Sequence, residues 1–168
     1  YAKRLGREKD VMQELIAQLP PYASFKQNWS HKNQNWIPFY WKGFQQTTLY
    51  TYVLEHLDDL DSIFKGFQEN IRGDIRKAAR RYKVVVRDDA PLGDFIRLNE
   101  QTFSRQGLAQ PDNAERIERL VTILNGKKQV RWFVAYDPEH HAHAGVLIVW
   151  DEHSAYYLMG GGDSELRN

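Results

Sequence analysis

Three apolar segments, Val130–Tyr136, Ala142–Trp150 and Ser154–Gly160, follow one another with only Asp137–His141 and Asp151–His153 between them. A parallel crossover needs about a dozen residues or more, usually a helix, so connections this short dictate antiparallel pairing. Both connections are polar, as tight turns are. The last third of the chain is therefore expected to form an antiparallel meander, and such a sheet needs an apolar layer over one face.

Helical patterns upstream can supply that layer. Asp58–Tyr82 repeats Leu60, Ile63, Phe64, Phe67, Ile71, Ile75 and Ala78 at helical spacing. Its acidic start (Asp58, Asp59, Asp61) and basic end match the helix dipole, and the spacing predicts one long helix. Pro91–Gln106 has proline in its first turn and Gly107 just beyond its end. Asp112–Asn125 opens with Asp112 and Glu115 placed as in a capping box. It carries Ile117, Leu120, Val121 and Leu124 on one face, and Gly126 is the expected stop. Between the first two helices, Lys83–Arg87 changes to a short β-branched strand. Residues 4–19 carry Val11, Met12, Leu15, Ile16 and Leu19 at helical steps, closed by Pro20-Pro21. The aromatic stretch from Tyr22 to Leu54 reads as strand, most clearly at Thr48–Val53, where Thr48, Tyr50 and Tyr52 would share a face. The expected class is mixed α/β (α+β), with a mostly antiparallel sheet flanked by helices.

Composition narrows the function. Hydrophobic residues make up 42% of the 168 residues and aromatics 13%, ample for a packed core and unlike a disordered chain. With 23 Lys plus Arg against 22 Asp plus Glu, no global field draws the chain to nucleic acid or an anionic membrane, so any basic site is local. The absence of cysteine excludes disulfides, thiolate metal ligands and a cysteine nucleophile. The longest apolar run, Ala144–Trp150, falls far short of a bilayer span, no signal-peptide pattern opens the chain, and a cytoplasmic location is expected. The chain starts at Tyr1 inside a helical pattern and reads as incomplete at both ends.

Four features could carry chemistry. Arg72, Arg76 and Arg80 form a single helical stripe with Lys77 and Arg81 beside it, either a solvated face or a site that grips phosphate oxygens. His140, His141 and His143 resemble part of a metal site, and His141 and His143 would point the same way on a strand. No cysteine or paired carboxylate is evident to complete it, so no metal is expected. Gly160, Gly161 and Gly162 close the last strand, either as a flexible end or as a place of close backbone approach to a cofactor. The tyrosines at Tyr156-Tyr157 read as core, with hydroxyls able to orient a polar acceptor. No serine sits in a G-x-S-x-G elbow, which removes support for a serine hydrolase.

Taken together, the strings NWIPFYWKGFQQTTLYTYV (Asn35–Val53), NIRGDIRKAARR (Asn70–Arg81), TFSRQG (Thr102–Gly107) and SAYYLMGGGDSELRN (Ser154–Asn168) resemble the FemAB-like acyltransferases of the GNAT superfamily. That resemblance implies two GNAT-like halves meeting at the helix that carries Arg72–Ala78. Residues 1–57 would be the tail of a first, degenerate half, and residues 58–168 the opening of a second. It implies acyl-CoA as co-substrate, with the donor arm beside the sheet and its pyrophosphate in a loop that Arg167 would begin. Gly160, Gly161, Gly162 and Arg167 are then the donor-binding candidates. Lys42, Arg72, Arg76 and Arg105 are the substrate-binding candidates, and Tyr156 and Asp163 are the candidates for orienting the acceptor or relaying its proton. The implied reaction is N-acylation of a sugar amine, amino acid or peptide. The better-known relatives extend bacterial peptidoglycan precursors from aminoacyl-tRNA. A tRNA partner is less favoured here, because the Arg72–Arg81 patch is the only basic surface to offer it. A non-catalytic GNAT-fold binding module is the third alternative.

Overall fold

The computed structural model describes residues 2–109 and 112–166. The chain divides into two compact units, Tyr1–Asp58 and Asp59–Asn168.

In the first unit, α1 (Ala2–Ala17) stops ahead of Pro20-Pro21 and packs on a short helix, α2 (Ile37–Tyr40). The strand expected within Tyr22–Leu54 does not form: none of these residues is in a sheet. Pro38 instead opens α2. Phe39 gathers an aromatic cluster, with ring centroids 5.2 Å from Phe44, 5.3 Å from Trp29 and 6.5 Å from Phe25. Thr48–Val53 keeps the alternation of a strand without a neighbouring ladder. Tyr50 and Tyr52 are fully exposed, so the face they share has nothing to pack on.

The second unit holds α3 (Leu60–Gly66), α4 (Glu69–Arg80), β1 (Val85–Arg87), α5 (Leu92–Arg105), α6 (Ala114–Gly126), β2 (Val130–Tyr136), β3 (Ala142–Trp150) and β4 (Ala155–Gly162). The single helix expected over Asp58–Tyr82 is two helices. The chain turns extended at Phe67 and Gln68, just past Gly66, a poor helix former. The Asp59 carboxylate caps the start of α3 by accepting from the Ser62 N–H at 2.9 Å. At its other end, the Arg72 guanidinium reaches back from α4 and donates to the Lys65 and Phe67 carbonyls at 2.6 and 2.7 Å. These are C-terminal carbonyls that no turn of α3 can satisfy. Arg72→Ala is accordingly expected to destabilise the unit by about 1–2 kcal/mol in urea denaturation.

The sheet runs in the order β1-β2-β3-β4, antiparallel throughout. Lys83 takes a left-handed φ of 56°, so the ladder begins only at Val85. At the other edge β4 outlasts its side-chain pattern, because Gly160, Gly161 and Gly162 still pair with Val146, Gly145 and Ala144. Asn113, not Asp112, caps α6, accepting from the Arg116 N–H at 3.0 Å, while Asp112 pairs with the Arg116 side chain. Gly126 lies inside the last turn of α6, and the left-handed residue that follows is Lys128.

Helices α5 and α6 cover one sheet face. From α5, Phe95, Ile96 and Leu98 meet Val130, Val134 and Leu147 of the strands and Ile117 and Val121 of α6 in a single buried cluster. The indole N–H of Trp132 donates to the Ala90 carbonyl at 2.8 Å and so fixes the entry to α5. Among the described residues, no helix is long and apolar enough to cross a membrane.

Candidate functional site

The polar groups of the second unit concentrate where α5 crosses the ends of β2, β3 and β4. Asn99 and Thr102 lie on the otherwise apolar side of α5, beside Phe95 and Leu98. The Asn99 amide donates to the Gly160 carbonyl at 2.8 Å. The Thr102 hydroxyl accepts from the Gly162 N–H at 3.0 Å and donates to the Leu98 carbonyl at 3.1 Å. Two side chains of one helix thus grip the backbone at the tail of β4. That grip needs a close approach. A Cβ on Gly161 would fall 2.3 Å from the Leu98 carbonyl carbon and 2.4 Å from the Asn99 nitrogen. At Gly160 it would fall on the Tyr157 hydroxyl, whereas at Gly162 its nearest neighbour is an oxygen 3.6 Å away. Packing against backbone therefore accounts for Gly161, whereas the exposed Tyr157 side chain could swing away from a Cβ at Gly160. Just before them β4 carries a bulge: Leu147 faces Met159 and Ile148 faces Tyr157, leaving Leu158 without an opposite residue.

Asp163 continues from this tail. Its N–H donates to the His143 carbonyl at 2.8 Å, and its carboxylate accepts from the N–H groups of Glu165 and Leu166 at 2.8 and 3.1 Å. Arg97 of α5 lies 3.7 Å away. The backbone donors of Glu165 and Leu166 hold the Asp163 carboxyl below the usual aspartate range, with smaller help from Gln101 and Arg97. Such a carboxylate is reliably ionised and correspondingly weak as a base, which suits positioning better than proton abstraction. The Gln101 side-chain oxygen is buried beside it without a hydrogen-bond partner among the described residues.

On the same side of the sheet the Tyr136 hydroxyl donates to Asp94 at 2.5 Å. Burial, then the hydrogen bond and charge of Asp94, push the Tyr136 phenol up to about 12 from an ordinary 10. A phenol whose folded pKa is raised contributes stability that is complete below pH 10 and is lost as pH rises through about 12. The stability gap between the wild type and Tyr136→Phe is expected to narrow over that window in alkaline denaturation.

Asp137 organises the β2–β3 turn. Its carboxylate accepts from the N–H groups of Glu139 and His141, both at 2.9 Å. Burial alone would raise the Asp137 carboxyl, but the His141 N–H and the His143 and His141 side chains outweigh it and hold it well below the carboxylate range.

The other residues singled out from the sequence are dispersed. Tyr156 is half exposed on β4, opposite Val149. Arg105 is exposed in the last turn of α5. Arg72 is engaged with the carbonyls of α3, and the Arg76 guanidinium lies 5.4 Å over the Phe64 ring, so the arginine stripe is partly committed within its own helix pair. Lys42 is exposed in the first unit, and Arg167 lies outside the described residues. Sequence reasoning missed Asn99, Thr102 and Arg97. Polar residues on the apolar face of α5 were the available signal for the first two.

A strand–helix–helix–meander order with α5 clasped to the tail of the last strand defines the unit, and residues 65–168 match the family described as acetyltransferase (GNAT) domain. The chain belongs to this GNAT acetyltransferase family. No curated protein matches the chain. Within the GNAT domain, β4 with its bulge and glycine tail forms one edge of the sheet, with its outer side unpaired among the described residues.

Proposed function

We propose that the chain is part of a FemAB-like N-acyltransferase that moves an acyl group from acyl-CoA to an amine on a small molecule or a peptidoglycan precursor. The observation that carries this reading is the GNAT match across residues 65–168. Acyl transfer follows from that family, and the donor and acceptor classes follow from the likeness of the strings quoted above.

The residues suit such a donor in one respect. An extended arm bearing amides can hydrogen-bond the outer edge of a strand, and the edge at Gly160–Gly162 presents backbone without bulky side chains. In the reaction the amine lone pair attacks the thioester carbon. A C–N bond forms, the C–S bond breaks, the sulfur leaves as thiolate, and the ammonium proton passes to solvent or a nearby base. Asp163 holds the segment after β4 in place for this step, and Tyr156 offers a hydroxyl to orient the acceptor. Arg72, Arg76 and Arg105 are the cations proposed to meet anionic parts of the substrates. Catalysis in the cytoplasm is part of the same proposal.

The test is release of free thiol from acetyl-CoA in the presence of a panel of amines. The chain contains no cysteine, so released thiol reports CoA directly. Amine-dependent release is the expected result. Absence of release with folded protein, together with transfer from aminoacyl-tRNA, would replace the proposed donor.

A further inference from the structure

The β2–β3 turn holds a second constellation that acyl transfer does not use. Asp137, Glu139 and His141 each bring one ligand atom within 4.8 Å of the other two. The Asp137 Oδ2 atom lies 3.0 Å from His141 Nδ1 and 3.1 Å from His143 Nε2, and Glu139 Oε2 lies 3.7 Å from the same His141 nitrogen. The sequence shows no cysteine or paired carboxylate to complete the histidine cluster. The fold supplies two carboxylates, because the turn curls Asp137 and Glu139 back over the start of β3.

The tautomer of His143 makes this arrangement informative. Its Nδ1 lies 3.2 Å from the Leu166 carbonyl, an oxygen that can only accept. That contact is a hydrogen bond only when Nδ1 carries the proton, which leaves Nε2 of the neutral ring as a lone pair. Nε2 faces a carboxylate oxygen, so the contact is closed either by a second ring proton or by a metal ion standing in its place. A ring N–H directed at a backbone carbonyl is also the usual support of a metal-bound histidine. Around a tetrahedral ion with bonds of about 2.0–2.1 Å, ligand atoms lie about 3.3 Å apart, close to the 3.0, 3.1 and 3.7 Å at which Asp137 meets His141 and His143 and Glu139 meets His141.

We propose that Asp137, Glu139 and His141, with His143 as a fourth ligand on the Asp137 side, bind a borderline divalent transition metal such as Zn²⁺. Two imidazoles with two carboxylates suit that class, whereas Ca²⁺ and Mg²⁺ take oxygen ligands alone. The ion staples the β2–β3 turn and, through the Leu166 carbonyl held by His143, the segment that follows β4. The role is structural, and it is independent of the donor used in acyl transfer.

Calorimetric titration of chelator-treated protein with ZnCl₂ tests this, with His141→Ala, His143→Gln and the double variant alongside. One saturable site per chain is expected, and each single variant should weaken it by about tenfold or more. Binding should also weaken as pH falls, because protons compete for the imidazoles. Circular dichroism establishes that the variants are folded. No saturable binding by the wild type overturns the proposal, and so does equal binding by the folded double variant, which would assign the ion to the other histidines.

Discussion

Replacing Gly161 with alanine is expected to lower the stability of the Asp59–Asn168 unit by about 3 kcal/mol or more, among the larger effects a single methyl can have. The new carbon would sit 2.3–2.4 Å from backbone atoms of Leu98 and Asn99, which no rotamer change can relieve. Either α5 lifts from the sheet or β4 leaves the ladder. Both disrupt the Asn99 and Thr102 hydrogen bonds and open the core under Phe95, whose ring lies 3.0 Å from the Cβ position of Gly145. Gly162→Ala is the control, since its methyl meets only an oxygen 3.6 Å away, and its expected cost is about 1 kcal/mol or less. Urea denaturation followed by tryptophan fluorescence distinguishes the two. Equal midpoints for both variants would mean that α5 does not approach β4 as closely as described.

Asp163→Ala is expected to lower kcat/KM for acyl transfer by about 100-fold, or about 2.7 kcal/mol. The alanine leaves the Glu165 and Leu166 N–H groups without their acceptor and Arg97 without its partner, so the segment after β4 loses its anchor. Asp163→Asn keeps an oxygen for the two N–H donors and should recover most of that loss. A group acting as general base would show the opposite pattern, with the amide as inactive as the alanine. The comparison therefore separates positioning from proton transfer, and near-equal loss in both variants would assign Asp163 to the chemistry itself.

What the sequence made legible was where local chemistry and tertiary demand agree. The meander was readable because β2, β3 and β4 are apolar segments whose turns are too short for any other connection. Helix α5 was readable from its proline start and the glycine just beyond its end. The break between α3 and α4 was not, because apolar spacing continues across Phe67. The interruption depends on Arg72 reaching back to carbonyls five and seven residues earlier, which periodicity does not register. Thr48–Val53 misled for the reverse reason, since alternation describes a strand's faces and says nothing of whether a ladder exists beside it. The glycine run was noticed, yet its main demand comes from α5, some sixty residues away in sequence, a contact that composition alone does not encode. Asp137 was read only as part of a polar turn, and only the fold brings His141 and His143 onto one of its oxygens.

The most direct measurement of the central claim is calorimetric titration of the protein with acetyl-CoA. Saturable binding with a dissociation constant of about 1–100 μM, roughly −8 to −5.5 kcal/mol, is the expected result. No binding heat from protein shown to be folded would contradict acyl-CoA as the donor and leave aminoacyl-tRNA transfer or a non-catalytic role for this GNAT domain.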